Sequence, residues 1–130
     1  MATAYSVFAN GGYATWPHAI KEIYTRDGYQ IYVHEPDFEN RIIREKDAQR
    51  LTRMLENVIE KGTGRAARLP FLAAGKTGTT QDYRDAWFVG YSDELICAVW
   101  VGNDDNSPMK GITGGTLPAK IWKEIMAPTR

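Results

Sequence analysis

The sequence has a single cysteine, Cys97, so no internal disulfide can staple the chain and cysteine usage leaves its redox compartment open. Cys97 lies inside an apolar run, where a buried, unreactive thiol is the expected state. Charge of one sign is missing as well: 16 Lys and Arg balance 16 Asp and Glu. A neutral balance supplies no field to draw nucleic acid or an anionic membrane surface, and neither is expected as a partner. The longest mostly apolar stretch, Leu95 to Gly102, is far short of the ~20 residues that span a bilayer. No basic-then-apolar leader follows Met1, so the chain as given is expected to be soluble. Met1 stands directly before a helix-like run, from which we expect a beginning imposed on a longer sequence. Serine and histidine are scarce. Ser6, Ser92 and Ser107, with His18 and His34, are all there is for a serine nucleophile or an imidazole base.

What is present belongs to a folded chain: 130 residues, 43% hydrophobic and 25% charged, with four Trp and seven Tyr. Ala2 to Asn10 offers good helix formers and stops at Gly11-Gly12, as the last turns of a helix would. Between His18 and Val33, two apolar stretches (Ile20, Ile23 and Tyr24, then Tyr29, Ile31 and Val33) flank Arg26-Asp27-Gly28 and predict two strands joined by a tight turn. From Asp47 to Lys61, the residues Ala48, Leu51, Leu55, Val58 and Ile59 recur at three- and four-residue spacing on one helix face, and Gly62 closes it. Three strands are expected next, over Ala73 to Thr80, Ala86 to Tyr91 and Glu94 to Asn103. The last is apolar on both faces and reads as a central, covered strand in its native setting. Pro118 opens a final amphipathic helix through Ile121, Trp122, Ile125 and Met126. With no repeat, low-complexity tract or interdomain linker, residues 1–130 read as a single unit. Its class is mixed α/β (α+β), helices covering an antiparallel sheet.

The segment that carries chemistry is Gly75-Lys76-Thr77-Gly78-Thr79-Thr80. On a strand, Thr77 and Thr79 share a face, Gly78 lets a ligand approach the backbone, the amides can donate to an oxygen lying alongside, and Lys76 supplies positive charge. Such a strand can hold an anion. K-T-G alone is a short pattern that also suits an exposed edge strand with a solvated lysine. It stands, however, in an ordered text: Gly62-Thr63-Gly64-Arg65-Ala66-Ala67 before it, then Asp85-Ala86-Trp87-Phe88-Val89-Gly90-Tyr91, Trp100-Val101-Gly102-Asn103-Asp104 and Gly114-Gly115-Thr116-Leu117-Pro118-Ala119 after it. In that order the motifs resemble the C-terminal half of the transpeptidase domain of class A, bifunctional, penicillin-binding proteins, from about Tyr5 to Met126.

The resemblance implies a serine D,D-transpeptidase. It would acylate on the penultimate D-alanine of a peptidoglycan stem peptide, release the terminal D-alanine, and pass the acyl group to an amine of a neighbouring strand. β-Lactams would bind as substrate mimics, no cofactor or metal is implied, and the whole protein would be membrane-anchored and act on the extracytoplasmic side. By the same resemblance Lys76 would stabilise the serine-hydroxyl network and the anionic substrate terminus. The Thr77 and Thr79 hydroxyls would bind the substrate carboxylate, and the Thr79 N–H would be one of two oxyanion donors. Gly78, Thr80 and Tyr83 complete the implied substrate-binding set, Tyr83 because it follows the strand where a substrate-facing loop is expected.

Here the sequence departs from the family pattern. No serine is followed two residues later by asparagine, so S-x-N is absent. Ser107-Pro108-Met109-Lys110 matches S-x-x-K literally, but it lies downstream of K-T-G, where Pro108 and Gly111 favour a loop. The nucleophile is therefore expected outside this chain, which alone should be inactive within an incomplete penicillin-binding, β-lactamase-like fold. A non-catalytic peptide- or strand-binding module is the alternative. His18 and His34 show no metal or Ser/His spacing, Asp104-Asp105 reads as a solvated turn, Arg65 and Arg84 as surface ion-pair residues, and Trp87, Phe88, Tyr91 and Trp100 as core. The strand Glu94 to Asn103 lacks protecting charges on an edge that family members pair with a strand from the start of the domain, so the isolated chain is expected to self-associate.

Overall fold

The computed structural model describes residues 1–35 and 40–129. Its elements follow in the order read from the sequence: α1 (Ala2–Ala9), β1 (Glu22–Tyr24), β2 (Gln30–Val33), α2 (Glu45–Glu60), β3 (Ala74–Thr79), β4 (Asp85–Tyr91), β5 (Ile96–Gly102) and α3 (Leu117–Met126). Acidic Glu45 and Asp47 occupy the first turn of α2, where they complement the positive end of the helix dipole. At the other end the N–H groups of Lys61 and Gly62 both donate to the Asn57 carbonyl at 2.9 Å, turning the chain off the helix.

β1 and β2 pair antiparallel in a sheet of their own. Their turn is not the two-residue kind that Asp-Gly favours. Asp27 keeps a negative φ while Gly28 alone takes φ 88°; Gly28 N–H donates to Thr25 O at 3.1 Å, and Thr25 N–H to Tyr29 O at 2.8 Å. A wider loop with one glycine in the left-handed region and a register shift at Ile23/Tyr24 results.

The main sheet is antiparallel in the order β3-β4-β5, with Thr77, Phe88 and Val99 side by side across it. Fully buried Phe88 on one face meets Trp122 of α3, ring centroids 5.1 Å apart, within a cluster that includes Val99, Ala119, Met126, Ala67, Leu69 and Ile59. A second cluster joins Ala74 and Tyr91 to Leu55, with Tyr5, Phe8, Leu51 and Ile96 packed against it. α2 thus feeds both clusters, Ile59 the first and Leu55 the second. Thr52 and the Tyr91 hydroxyl bond at 2.8 Å, and burial pushes the Tyr91 phenol above its usual range.

β5 has the open edge expected of it in this chain, and two other expectations need adjustment. No strand among the described residues pairs with the second side of β5. Only Val99 of it is buried and Trp100 is 43% exposed, so the cover that its two-faced apolar composition anticipates is not supplied by the described residues. Trp87 is half-buried rather than core, with its ring 6.4 Å from that of its exposed cross-strand partner Trp100. Cys97 is half-buried, and that burial raises its thiol pKa. No helix among the described residues is long and apolar enough to cross a membrane.

The Phe88 ring packs directly on the backbone at Gly64 and Gly75, 3.1 and 2.8 Å from where their Cβ atoms would sit, so its removal leaves a hole beside two residues with no side chain to fill it. We predict that Phe88→Ala destabilises the chain by about 3 to 5 kcal/mol in chemical denaturation. A loss below about 1 kcal/mol would contradict this packing.

Candidate functional site

The register of β3 on β4 decides what the K-T-G strand presents. Thr80 N–H donates to Asp85 O at 3.0 Å, and Gly78, Lys76 and Ala74, two residues apart along the strand, share that direction. The N–H and C=O of Thr77 and Thr79 therefore point the other way, to the unpaired edge of β3. On that edge Lys76 Nζ donates to Thr77 O at 2.9 Å. The lysine leaves the strand on the face opposite Thr77 and Thr79, and its length carries the ammonium round to the edge.

The two threonine side chains do share one face, and there they meet residues from distant parts of the chain. Thr63, Thr77, Thr79, Thr113, Gly115 and Thr116 line a pocket of about 440 Å³ with no charged side chain in its wall. The Thr63 and Thr77 hydroxyl oxygens lie 2.7 Å apart. Gly114 N–H donates to Thr79 Oγ1 at 3.0 Å. Thr116 Oγ1 accepts from Thr113 N–H at 2.9 Å and donates to Thr113 O at 2.8 Å, closing a turn directly before α3. This turn lies on the strands at a distance that only glycine permits: a Cβ on Gly114 would sit 2.2 Å from Trp87 O and 2.6 Å from Gly78 O, and one on Gly115 2.2 Å from Thr63 O.

Tyr83 and Thr80 lie beyond this pocket. Thr80 Oγ1 accepts from Asp85 N–H at 2.8 Å and so supports the β3–β4 turn. Tyr83 is 46% exposed and holds φ 56° next to Asp82 at φ 57°; its carbonyl accepts from Met109 N–H at 3.1 Å. Arg84 reaches Asp82 at 3.9 Å and bonds the Asn106 carbonyl, which ties the turn to the loop after β5. Sequence reasoning missed Thr63, Thr113, Thr116 and the Gly114 amide as site components. Their motifs were visible, but their meeting with β3 depends on contacts more than ten residues distant.

Ser107 lies outside any helix. Asn103 Nδ2 donates to its Oγ at 3.1 Å, its own N–H donates to Asp105 Oδ1 at 3.0 Å, and these Ser107 hydrogen bonds hold the Asp105 carboxyl below its usual range. Buried Ser92 accepts from Glu94 and Leu95 N–H, and buried Ser6 donates to Thr3 O at 2.7 Å. Among the described residues, none of the three is paired with a lysine or histidine base. His18 and His34 stack at 3.8 Å, but no group of three or more metal-ligating side chains occurs among the described residues. A larger cavity, about 510 Å³, opens at the far end of the sheet around Thr52, Phe71 and Tyr91, and shares no residue with the pocket at Thr77 and Thr79.

The family model for the penicillin binding protein transpeptidase domain matches residues 1–127. The chain is 38% identical to penicillin-binding protein 1A of Neisseria meningitidis over 97% of its own length and 17% of that protein, and 37% identical to that of Aquifex aeolicus over 97% and 18%. Among solved structures it superimposes on penicillin-binding protein PonA1 from Mycobacterium tuberculosis with a TM-score of 0.86 at 31% identity, covering 96% of this chain and 36% of that one. The chain belongs to the penicillin-binding protein transpeptidase family, and it spans less than a fifth of the length of these curated relatives.

The surroundings of Ser107 generate a prediction. Its hydroxyl has for neighbours an amide and a carboxylate held too low to be a good base, and no lysine or histidine among the described residues bonds it, so this chain should take up no covalent fluorescent penicillin. Mass spectrometry reads the result directly; a stoichiometric adduct on Ser107 would refute it.

Proposed function

We propose that residues 1–130 are one unit, the C-terminal portion of the transpeptidase domain of a class A penicillin-binding protein. In the whole protein this unit supplies the substrate-binding strand of a serine D,D-transpeptidase that cross-links peptidoglycan stem peptides and is acylated by β-lactams. The observation that carries the reading is the arrangement on β3: two threonine hydroxyls in one uncharged pocket, the Thr79 N–H at an open edge, and the Lys76 ammonium brought to that same edge. A peptide carboxylate is an acceptor-only anion, and this set offers it donors and positive charge. The Thr79 N–H is placed to donate to a carbonyl oxygen that gains charge at a tetrahedral transition state. Gly78 leaves room for the peptide, with Thr80 and Tyr83 at its far end. Peptidoglycan lies outside the cytoplasmic membrane, so we place the whole protein, membrane-anchored, on the extracytoplasmic side.

Alone, the chain is inactive in this reading: it holds neither S-x-N nor an S-x-x-K that opens a helix. In the full-length protein, Lys76→Ala should lower second-order acylation by penicillin by about 2 to 4 kcal/mol of transition-state stabilisation, with little change in unfolding midpoint because Lys76 is exposed. Unchanged acylation would remove this strand from the substrate site.

A second reading, a strand-binding module, draws on the open side of β5. Carrying the register across the sheet, Ile96, Ala98 and Trp100 turn their N–H and C=O groups to that side. No charged residue or proline interrupts the strand Ile96–Gly102, so this edge is a template for another strand. We predict that the isolated chain forms dimers or larger species by that edge in light scattering across a concentration series. A monomer at high concentration would refute it, and loss of association on Ala98→Pro would locate the contact.

A further inference from the structure

We infer that Thr63 is a positioning residue for carboxylate recognition: its hydroxyl donates to Thr77, so that Thr77 can donate its own proton to an anionic ligand in the threonine-lined pocket. The inference rests on the transpeptidase reading of β3 and adds to it a residue from the loop after α2.

The number of protons available decides which hydroxyl can donate to a ligand. A hydroxyl carries one proton and two acceptor sites. Thr116 spends its proton on Thr113 O and accepts from Thr113 N–H, so it is committed to its own turn. At Thr79 the backbone N–H of Gly114 can only donate, so Thr79 Oγ1 accepts and its proton remains for a ligand. Thr63 and Thr77, 2.7 Å apart, share one hydrogen bond in which either hydroxyl can be the donor. A carboxylate decides its direction, because it accepts and never donates. Once it takes the Thr77 proton, the remaining bond has to run from Thr63 O–H to Thr77 Oγ1. The chain Thr63 to Thr77 to carboxylate is then polarised in one direction, and each bond strengthens the next. A neutral carbonyl or ester has a weaker pull and gains less from the relay.

Thr63 is held in place without help from its hydroxyl. Gly62 N–H donates to Asn57 O and Gly64 N–H to Val58 O, both at 2.9 Å, so the last carbonyls of α2 fix the loop on both sides. Gly115 lies against the Thr63 carbonyl at a distance that excludes a Cβ. Removing the hydroxyl should therefore leave the backbone where it is, and a loss of function would report the hydrogen bond itself.

The test uses the full-length protein as wild type, Thr63→Val and Thr63→Ser, with second-order acylation rates for benzylpenicillin and for its methyl ester, which lacks the carboxylate. Thr63→Val should slow benzylpenicillin by about fivefold to tenfold, the effect of one neutral hydrogen bond, and slow the ester by less than about twofold. Thr63→Ser should restore the rate, and the thermal midpoints of all three should coincide. Equal rates for wild type and Thr63→Val would overturn the inference, as would equal losses with acid and ester or a serine variant that fails to rescue. If the wild type is acylated by neither compound, the transpeptidase reading itself falls.

Discussion

The contact on which the rest of this structure depends is the approach of the Thr113–Thr116 turn to the β3–β4 pair. At Gly114 the turn comes close enough to the Trp87 and Gly78 backbones to leave no room for a methyl group, and at Gly115 it does the same against Thr63. Three consequences follow from one approach. The Gly114 amide reaches Thr79, the pocket acquires its roof, and α3 begins at Leu117 with its axis already placed over the sheet. Trp122, one and a half turns further on, then meets Phe88 and closes the core. Pocket and core are joined through about ten residues, so substitutions at Gly114 or Gly115 act on both.

The sheet register adds a second constraint of the same kind. Alternation along β3 gives the strand three separate outlets: a face bearing Thr77 and Thr79, a face bearing Lys76, and an open edge bearing the amides of Thr77 and Thr79. A one-residue slip against β4 would exchange the first two and turn the Thr79 amide inward to β4. Phe88 guards against such a slip. Its ring fills the place of a Cβ at Gly75, where a slip would bring Ala74 or Lys76.

Much of this was legible beforehand, and the reasons differ by element. Helix α2 and strand β4 announce themselves because their apolar residues follow a helical or a fully buried pattern. The K-T-G strand was legible through residue chemistry, and its motif order through resemblance to a family. The hairpin turn was readable as a turn but not as its type, since Asp-Gly serves a two-residue loop and a wider bulged loop alike, and the difference lies in the φ of Asp27 alone. Thr63, Thr113 and Thr116 were illegible as site residues because a threonine in a glycine-rich loop looks the same whether it caps its own turn or faces a pocket. Thr116 does the first and Thr63 the second. Trp87 and Trp100 misled in the opposite sense: aromatic residues on apolar strands suggest core, yet these two pair with each other on the sheet face opposite Phe88 and stay partly exposed.

The choice of threonine for the pocket wall also has a physical basis. A carboxylate can be held by charge alone, as a lysine would hold it, but a flexible ammonium fixes neither distance nor direction. Branching at Cβ restricts χ1, so a threonine on a strand keeps its hydroxyl in one of few positions and loses little freedom when a ligand arrives. With Thr77 and Thr79 two residues apart, their Cα atoms are separated by roughly 6.5 to 7 Å, and two hydroxyls leaning toward one another can straddle a single carboxylate. In the proposed carboxylate site, Lys76 supplies long-range attraction from the edge while the threonines supply geometry. The division of labour is possible because a strand sends neighbouring residues to opposite faces, and it is why the cation and the hydroxyls can be adjacent in sequence without competing for the same hydrogen bond.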